Sequence, residues 1–156
     1  MRRPVGASLQ VSLVRYSSDG TVDASFGSNG IVVTQVGNNL SGAHSVVLDS
    51  DNKITVDGSY NGDGSDKMFV ARYTASGNLD STFGNGGIVT TQMGGHDTSG
   101  DMVLQPDNKV VITGITHNNG QNDTFIARYN IDGSLDSSFG NGGKVVTSFS
   151  NGNDGA

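Results

Sequence analysis

Residues 69–92 read FVARYTASGNLDSTFGNGGIVTTQ, and the chain repeats this stretch with small changes twice more: LVRYSSDGTVDASFGSNGIVVTQ at 13–35 and FIARYNIDGSLDSSFGNGGKVVTS at 125–148. In each copy an alternating apolar run ends at Arg-Tyr. A polar turn, a Leu/Val-Asp-x-x-Phe-Gly segment and a second β-branched run follow. The Arg-Tyr pair recurs at Arg15, Arg72 and Arg128, intervals of 57 and 56 residues, and the Asp-Asn-Lys turn recurs from Asp51 to Asp107, also 56. A fixed period of this kind marks solenoids, propellers or arrays. Four strands of roughly five or six residues with their turns fill the period, and a four-stranded antiparallel unit is a propeller blade. A parallel solenoid coil is shorter and has no two-residue hairpin loop such as Asp51-Asn52. The expected fold is therefore all-β: tandem four-stranded antiparallel blades, β-propeller-like, about two and a half repeats of 56–57 residues.

Working outward, alternation predicts a strand from Leu9 to Arg15, then strands at 31–34, 43–49 and 53–60. The pattern restarts with strands at 68–74, 88–92, 99–105 and 109–116, and again at 124–130 and 144–149. Pro106-Asp107-Asn108 matches Ser50-Asp51-Asn52, with Pro pre-setting φ for the turn. Residues 1–8 form an N-terminal arm, 9–149 the β-repeat domain with repeats starting near Arg15, Arg72 and Arg128, and 150–156 a C-terminal tail. Set beside its copies, 69–92 reads as the joint between successive blades, with Arg72, Asp80 and Phe83 holding it.

Composition supports short strands and tight turns. The chain has 156 residues, 24 of them Gly; all 15 acidic residues are Asp, and Lys plus Arg total nine. Gly, Asn and Asp supply the positive φ that many turns need. A net charge of −6 with no basic stripe argues against nucleic acid as a partner. No apolar run reaches the length of a membrane span, and Gln10, Ser12 and Arg15 interrupt any signal-peptide apolar region. With no cysteine there is no disulfide, thiolate metal site or thiol nucleophile. An acidic, cysteine-free chain rich in Gly, Asn and Asp fits an extracellular or cell-surface setting.

The segments ARYTASGNLDSTFGNGG (71–87) and VLQPDNKVVITG (103–114) resemble the delta-60 repeat, a bacterial β-propeller-type repeat of large, often secreted or surface-associated proteins. The resemblance spans residues 13 to 148. The first copy departs from it at Val22 for Leu, Ser28-Asn29-Gly30 for Asn-Gly-Gly, and Ser50 for Pro. The resemblance implies blades and a role in binding or display, and it carries over no catalytic residue.

The residues themselves point the same way. Leu79 and Phe83, with Val22, Phe26, Leu135 and Phe139, read as core plugs. Arg15 and Asp23, Arg72 and Asp80, Arg128 and Asp136 each stand eight apart, so a strand, turn and return can bring them together. The expectation is a recurring ion pair, or Asp capping the turn N–H groups. One Asp repeated in every copy is no mark of a singular catalytic centre. No Gly-x-Ser-x-Gly elbow is present. His44, His96 and His117 fall opposite Gly100, Leu40 and Asn61 in the repeat, so they form no repeated site and read as exposed loop residues. Calcium is the one cofactor considered, with Asp63, Asp66, Asp97 and Asp101 as its candidates in oxygen-rich loops.

Two Asp-Asn-Lys hairpins against three Arg-Tyr segments leave the array unclosed, while rings take four to eight blades. Exposed sheet edges invite pairing with another chain. The expected function is a non-enzymatic structural or interaction module. It would assemble head to tail through its edges as a closed ring, a filament or part of a longer propeller. The alternative is a glycan- or calcium-binding propeller module using the Asp/Asn-rich loops.

Overall fold

The computed structural model describes residues 10–37, 40–62, 64–118 and 120–148. The expected arm (1–8), the strand end points Leu9 and Phe149, the tail (150–156) and the calcium candidate Asp63 lie outside the described residues.

Ten strands follow in chain order: β1 (Val11–Val14), β2 (Ile31–Thr34), β3 (Ser41–Leu48), β4 (Ile54–Gly62), β5 (Ser65–Tyr73), β6 (Ile88–Thr91), β7 (His96–Leu104), β8 (Val110–Asn118), β9 (Gln121–Tyr129) and β10 (Lys144–Thr147). Each falls on an expected strand, and every regular element among the described residues is a strand. They form two four-stranded antiparallel sheets, β3-β4-β5-β6 and β7-β8-β9-β10, and a two-stranded sheet, β1-β2. The tight turns follow from sequence. Asn52 and Asn108 occupy left-handed backbone (φ 57° and 61°), which Asn tolerates better than most residues.

Two expectations shift. Residues 69–92 are not a joint in the covalent sense. Met68–Ala71 of β5 pair with Thr91–Ile88 of β6, so the stretch is the last hairpin of one blade. The blade-to-blade crossings instead leave β2 at Gln35 and run over residues 92–95 after β6. The sequence also suggests a chain that begins with the last strand of one repeat and ends with the first of another, and the sheets assign those strands differently. By the period, β1 and β2 match β5 and β6, the third and fourth strands of a blade, and β10 is a fourth strand. The reason is the shortness of that fourth strand, four residues against nine for β4 and β5. It is more easily assigned to the following repeat than to its own sheet.

The core lies between blades. Val11, Phe26 and Val36 of the first pack with Ile54, Val56, Phe69, Ala71 and Tyr73 of the second. Met68, Val70 and Phe83 of the second pack with Met102, Val110, Ile112, Phe125, Ala127 and Tyr129 of the third. Each sheet therefore buries apolar residues on the faces it turns to a neighbour.

Candidate functional site

One side-chain node is built three times. The strand ending in Arg-Tyr brings Arg up, and the loop returns Asp and Phe to meet it. Arg15 Nε donates to Asp23 Oδ2, Arg72 Nε to Asp80 Oδ2 and Arg128 Nε to Asp136 Oδ2, each at 2.8 Å. The other carboxylate oxygen caps the turn by accepting the backbone N–H of Ser25, Thr82 or Ser138 at 3.0, 3.1 and 3.0 Å. Both expected roles of the Asp are thus filled at once. Each guanidinium also lies over its Phe ring, 4.7, 4.6 and 4.7 Å from the centroid for Phe26, Phe83 and Phe139. In the complete blades a lysine from the preceding hairpin turn joins the carboxylate: Lys53 Nζ on Asp80 at 2.9 Å and Lys109 Nζ on Asp136 at 2.8 Å. Burial raises the Asp80 pKa, but the Thr82 hydroxyl, Lys53, the Thr82 N–H and Arg72 outweigh it and hold the group far below the usual carboxylate range.

The node is also where one blade grips the next. Arg72 Nη1 donates to the Ile131 carbonyl of the third blade, as Arg15 Nη1 does to the Ala75 carbonyl of the second. Gly84 N–H donates to the Asp132 carbonyl at 2.8 Å, and Gly27 N–H to the Ser76 carbonyl at 2.9 Å. The turn glycine of the incoming blade sits directly on the phenylalanine. A Cβ on Gly133 would lie 2.9 Å from Gly84 N and 3.1 Å from Phe83 Cδ2, and one on Gly77 would lie 2.9 Å from Phe26 Cε2. A tyrosine completes the seam: Tyr73 OH donates to Thr34 Oγ1 at 2.8 Å and Tyr129 OH to Thr91 Oγ1 at 2.7 Å. The two seams are the same device 56 or 57 residues apart. Phe26 and Phe83 are buried as plugs, whereas Leu79 and Val22 are exposed (37% and 47%), so the plug reading holds for those phenylalanines and fails for these two aliphatics.

The ends expose what the middle buries. Arg72 is 8% exposed, against 22% for Arg128 and 36% for Arg15. Beside the first blade, Val46 and Leu48 of β3 in the second blade face an open apolar cleft of about 450 Å³, shared with Leu13, Val14, Phe26 and Ile54. They are 58% and 60% exposed, while Met102, which matches Val46 in the third blade, is 4% exposed. The difference is the absence, among the described residues, of first and second strands in the first blade.

A second feature went unread in the sequence. Both oxygens of Asp57 on β4 are buried without a hydrogen-bond partner, and the residue is fully buried. Burial pushes its pKa up, against the opposing influence of Ser99, His44 and the Ser45 N–H. His44 Nδ1 lies 2.9 Å from Ser99 Oγ. The trio has the residue types of a hydrolytic triad without its order: Ser99 is buried, and the histidine is not held by the aspartate. The available signal was position: Asp57 stands where the next repeat has Thr113. A group whose folded pKa is raised contributes fully below its unfolded value and loses that contribution as pH rises through the folded pKa. Asp57→Asn is therefore expected to stabilise the chain near neutral pH by on the order of 1 kcal/mol. The gain should vanish below the carboxylate range in thermal melts recorded across pH.

Of the calcium candidates, Asp66 lies on β5 and Asp97 and Asp101 on β7, not in loops, and each makes hydrogen bonds within the protein. Asp97 is buried and accepts the N–H groups of Met93 and Gly94 at 2.7 and 3.1 Å, bracing the crossing into the third blade. Asp101 Oδ1 accepts the Met102 N–H. Asp66 accepts from Asn61 and lies 3.4 Å from His96. Among the described residues no three such groups converge on one point. The histidines are exposed, as expected, but stand on β3, β7 and β8, with His96 facing His117 in register, and not on loops. Among the described residues no helix is long and apolar enough to cross a membrane.

A family model described as "Domain of unknown function (DUF5122) beta-propeller" matches residues 4–26, 50–83 and 105–139. No curated protein matches the chain. The three matched segments each end on one copy of the Phe-containing node.

Proposed function

The chain belongs to the DUF5122 beta-propeller family, and on that footing we propose that it is a non-enzymatic structural and interaction module, of the delta-60 kind, that self-assembles head to tail outside the cell or at its surface. The observation that supports this reading is the pairing of the first blade among the described residues. The matching strands β5 and β9 are paired on both sides, but among the described residues β1 is paired only with β2. That leaves one edge of β1 open beside the Val46–Leu48 cleft, and an open edge with an apolar face is a pairing site. The acidic, cysteine-free composition supports an extracellular setting. Native mass spectrometry of the purified chain tests the proposal. Multimers are expected, and a monomer at every concentration would contradict self-assembly.

A further inference from the structure

We infer that a second copy of this chain docks its first-blade turn, Tyr16–Gly20, onto the Arg128–Phe139–Gly140 end of the third blade, repeating between chains the seam that joins blades within one. The inference rests on the self-assembly reading and names its atoms.

Each internal seam has two halves. The incoming half is a tyrosine, two turn carbonyls and a glycine at positive φ: Tyr73, Ala75, Ser76 and Gly77 at one seam, Tyr129, Ile131, Asp132 and Gly133 at the other. The receiving half is a threonine, an arginine, a phenylalanine and the glycine N–H after it: Thr34, Arg15, Phe26 and Gly27, then Thr91, Arg72, Phe83 and Gly84. Shifted by one period, the first blade carries an unused incoming half, Tyr16, Ser18, Asp19 and Gly20. Gly20 has the φ of its counterparts, 83° beside 91° and 85°, yet nothing lies within 4 Å of where its Cβ would stand. Tyr16 is 61% exposed, whereas Tyr73 and Tyr129 are fully buried.

The third blade carries the unused receiving half. Arg128 is held by Asp136 and stacked on Phe139, as its counterparts are. Neither its Nη1 nor the Gly140 N–H has a partner among the described residues, and Thr147 receives no tyrosine. The described residues thus present a plug and the complementary socket, both pre-shaped by the fold. Such a contact is heterologous, so it propagates into a ring or a filament instead of stopping at a dimer. In it the Ser18 carbonyl accepts Arg128 Nη1, the Asp19 carbonyl accepts the Gly140 N–H, and Tyr16 reaches Thr147.

The test uses two variants altered where the isolated chain is open. Tyr16→Ala removes the plug. Thr147→Lys fills the socket. Sedimentation velocity of the parent is expected to show mass rising with concentration. Each variant alone should remain monomeric with an unchanged melting temperature. Mixed in equal amounts, they should form one-to-one heterodimers, because each retains the half the other lacks. As an internal comparison Gly20→Asn, with a residue that tolerates positive φ, is expected to block association without unfolding, while Gly133→Asn lowers the melting temperature by wedging the internal seam. If the variants associate as the parent does, the seam is wrong and self-assembly stands. If the parent never associates, both fall.

Discussion

Asp80→Ala lowers the stability of the chain by about 3–5 kcal/mol, the cost of stripping the partner from a buried ion pair. The Asp80 side chain is 6% exposed and its Arg72 partner 8%. The same carboxylate accepts Lys53, the Thr82 hydroxyl and the Thr82 N–H. Truncation leaves a buried guanidinium without a counter-charge and a turn without its cap. The matching change in the first blade, Asp23→Ala, is expected to cost clearly less, because both partners there are partly solvated and no lysine joins them. Chemical denaturation of the two variants measures the contrast, and equal losses would remove burial as its cause. The sign with pH is set by the depressed pKa of Asp80. Its contribution is complete above the ordinary carboxylate value and is lost as pH falls through the folded pKa, so acid should erase the difference between parent and variant.

Phe83→Ala is expected to cost about 3–5 kcal/mol, as large-to-small changes of buried aromatics do. Phe83 is 1% exposed, packs in the cluster between second and third blades, supports Arg72 and seats Gly133. Phe139 has the same sequence context and the same arginine above it, but among the described residues no further blade covers it. Phe139→Ala should therefore cost clearly less. Thermal melts of the pair measure how much of the phenylalanine's stabilisation comes from the neighbouring blade rather than from its own loop.

The fold was legible because the repeat puts strand formers and turn residues at fixed offsets. Val-Ile-Thr runs, the Asn of Asp-Asn-Lys and the Arg-to-Asp spacing each announce local geometry, and local geometry is what a strand-and-turn fold is built from. The recurring node was legible for the same reason, since Arg72 and Asp80 are eight residues apart in one hairpin. What the chain did not announce was every contact between blades. Gly77 reads like any turn glycine until Phe26 is found beneath it, and the Ile131 carbonyl carries no side-chain signal at all. Asp57 was missed because a single polar residue inside an alternating strand looks like the outward position of the pattern. The joint itself was placed one link away, because residues that grip the next blade need not be the residues that lead to it.

The central claim is that seams between blades are one repeated device, closed twice among the described residues, with the third blade offering the receiving half once more. Amide hydrogen exchange at Gly27, Gly84 and Gly140 tests it most directly. The first two N–H groups donate to the next blade and the third has no acceptor within the described chain. Gly27 and Gly84 should be protected at every concentration, while Gly140 exchanges rapidly at dilution and becomes protected as concentration rises. Gly84 exchanging as fast as Gly140, or Gly140 protected even at dilution, would contradict the account.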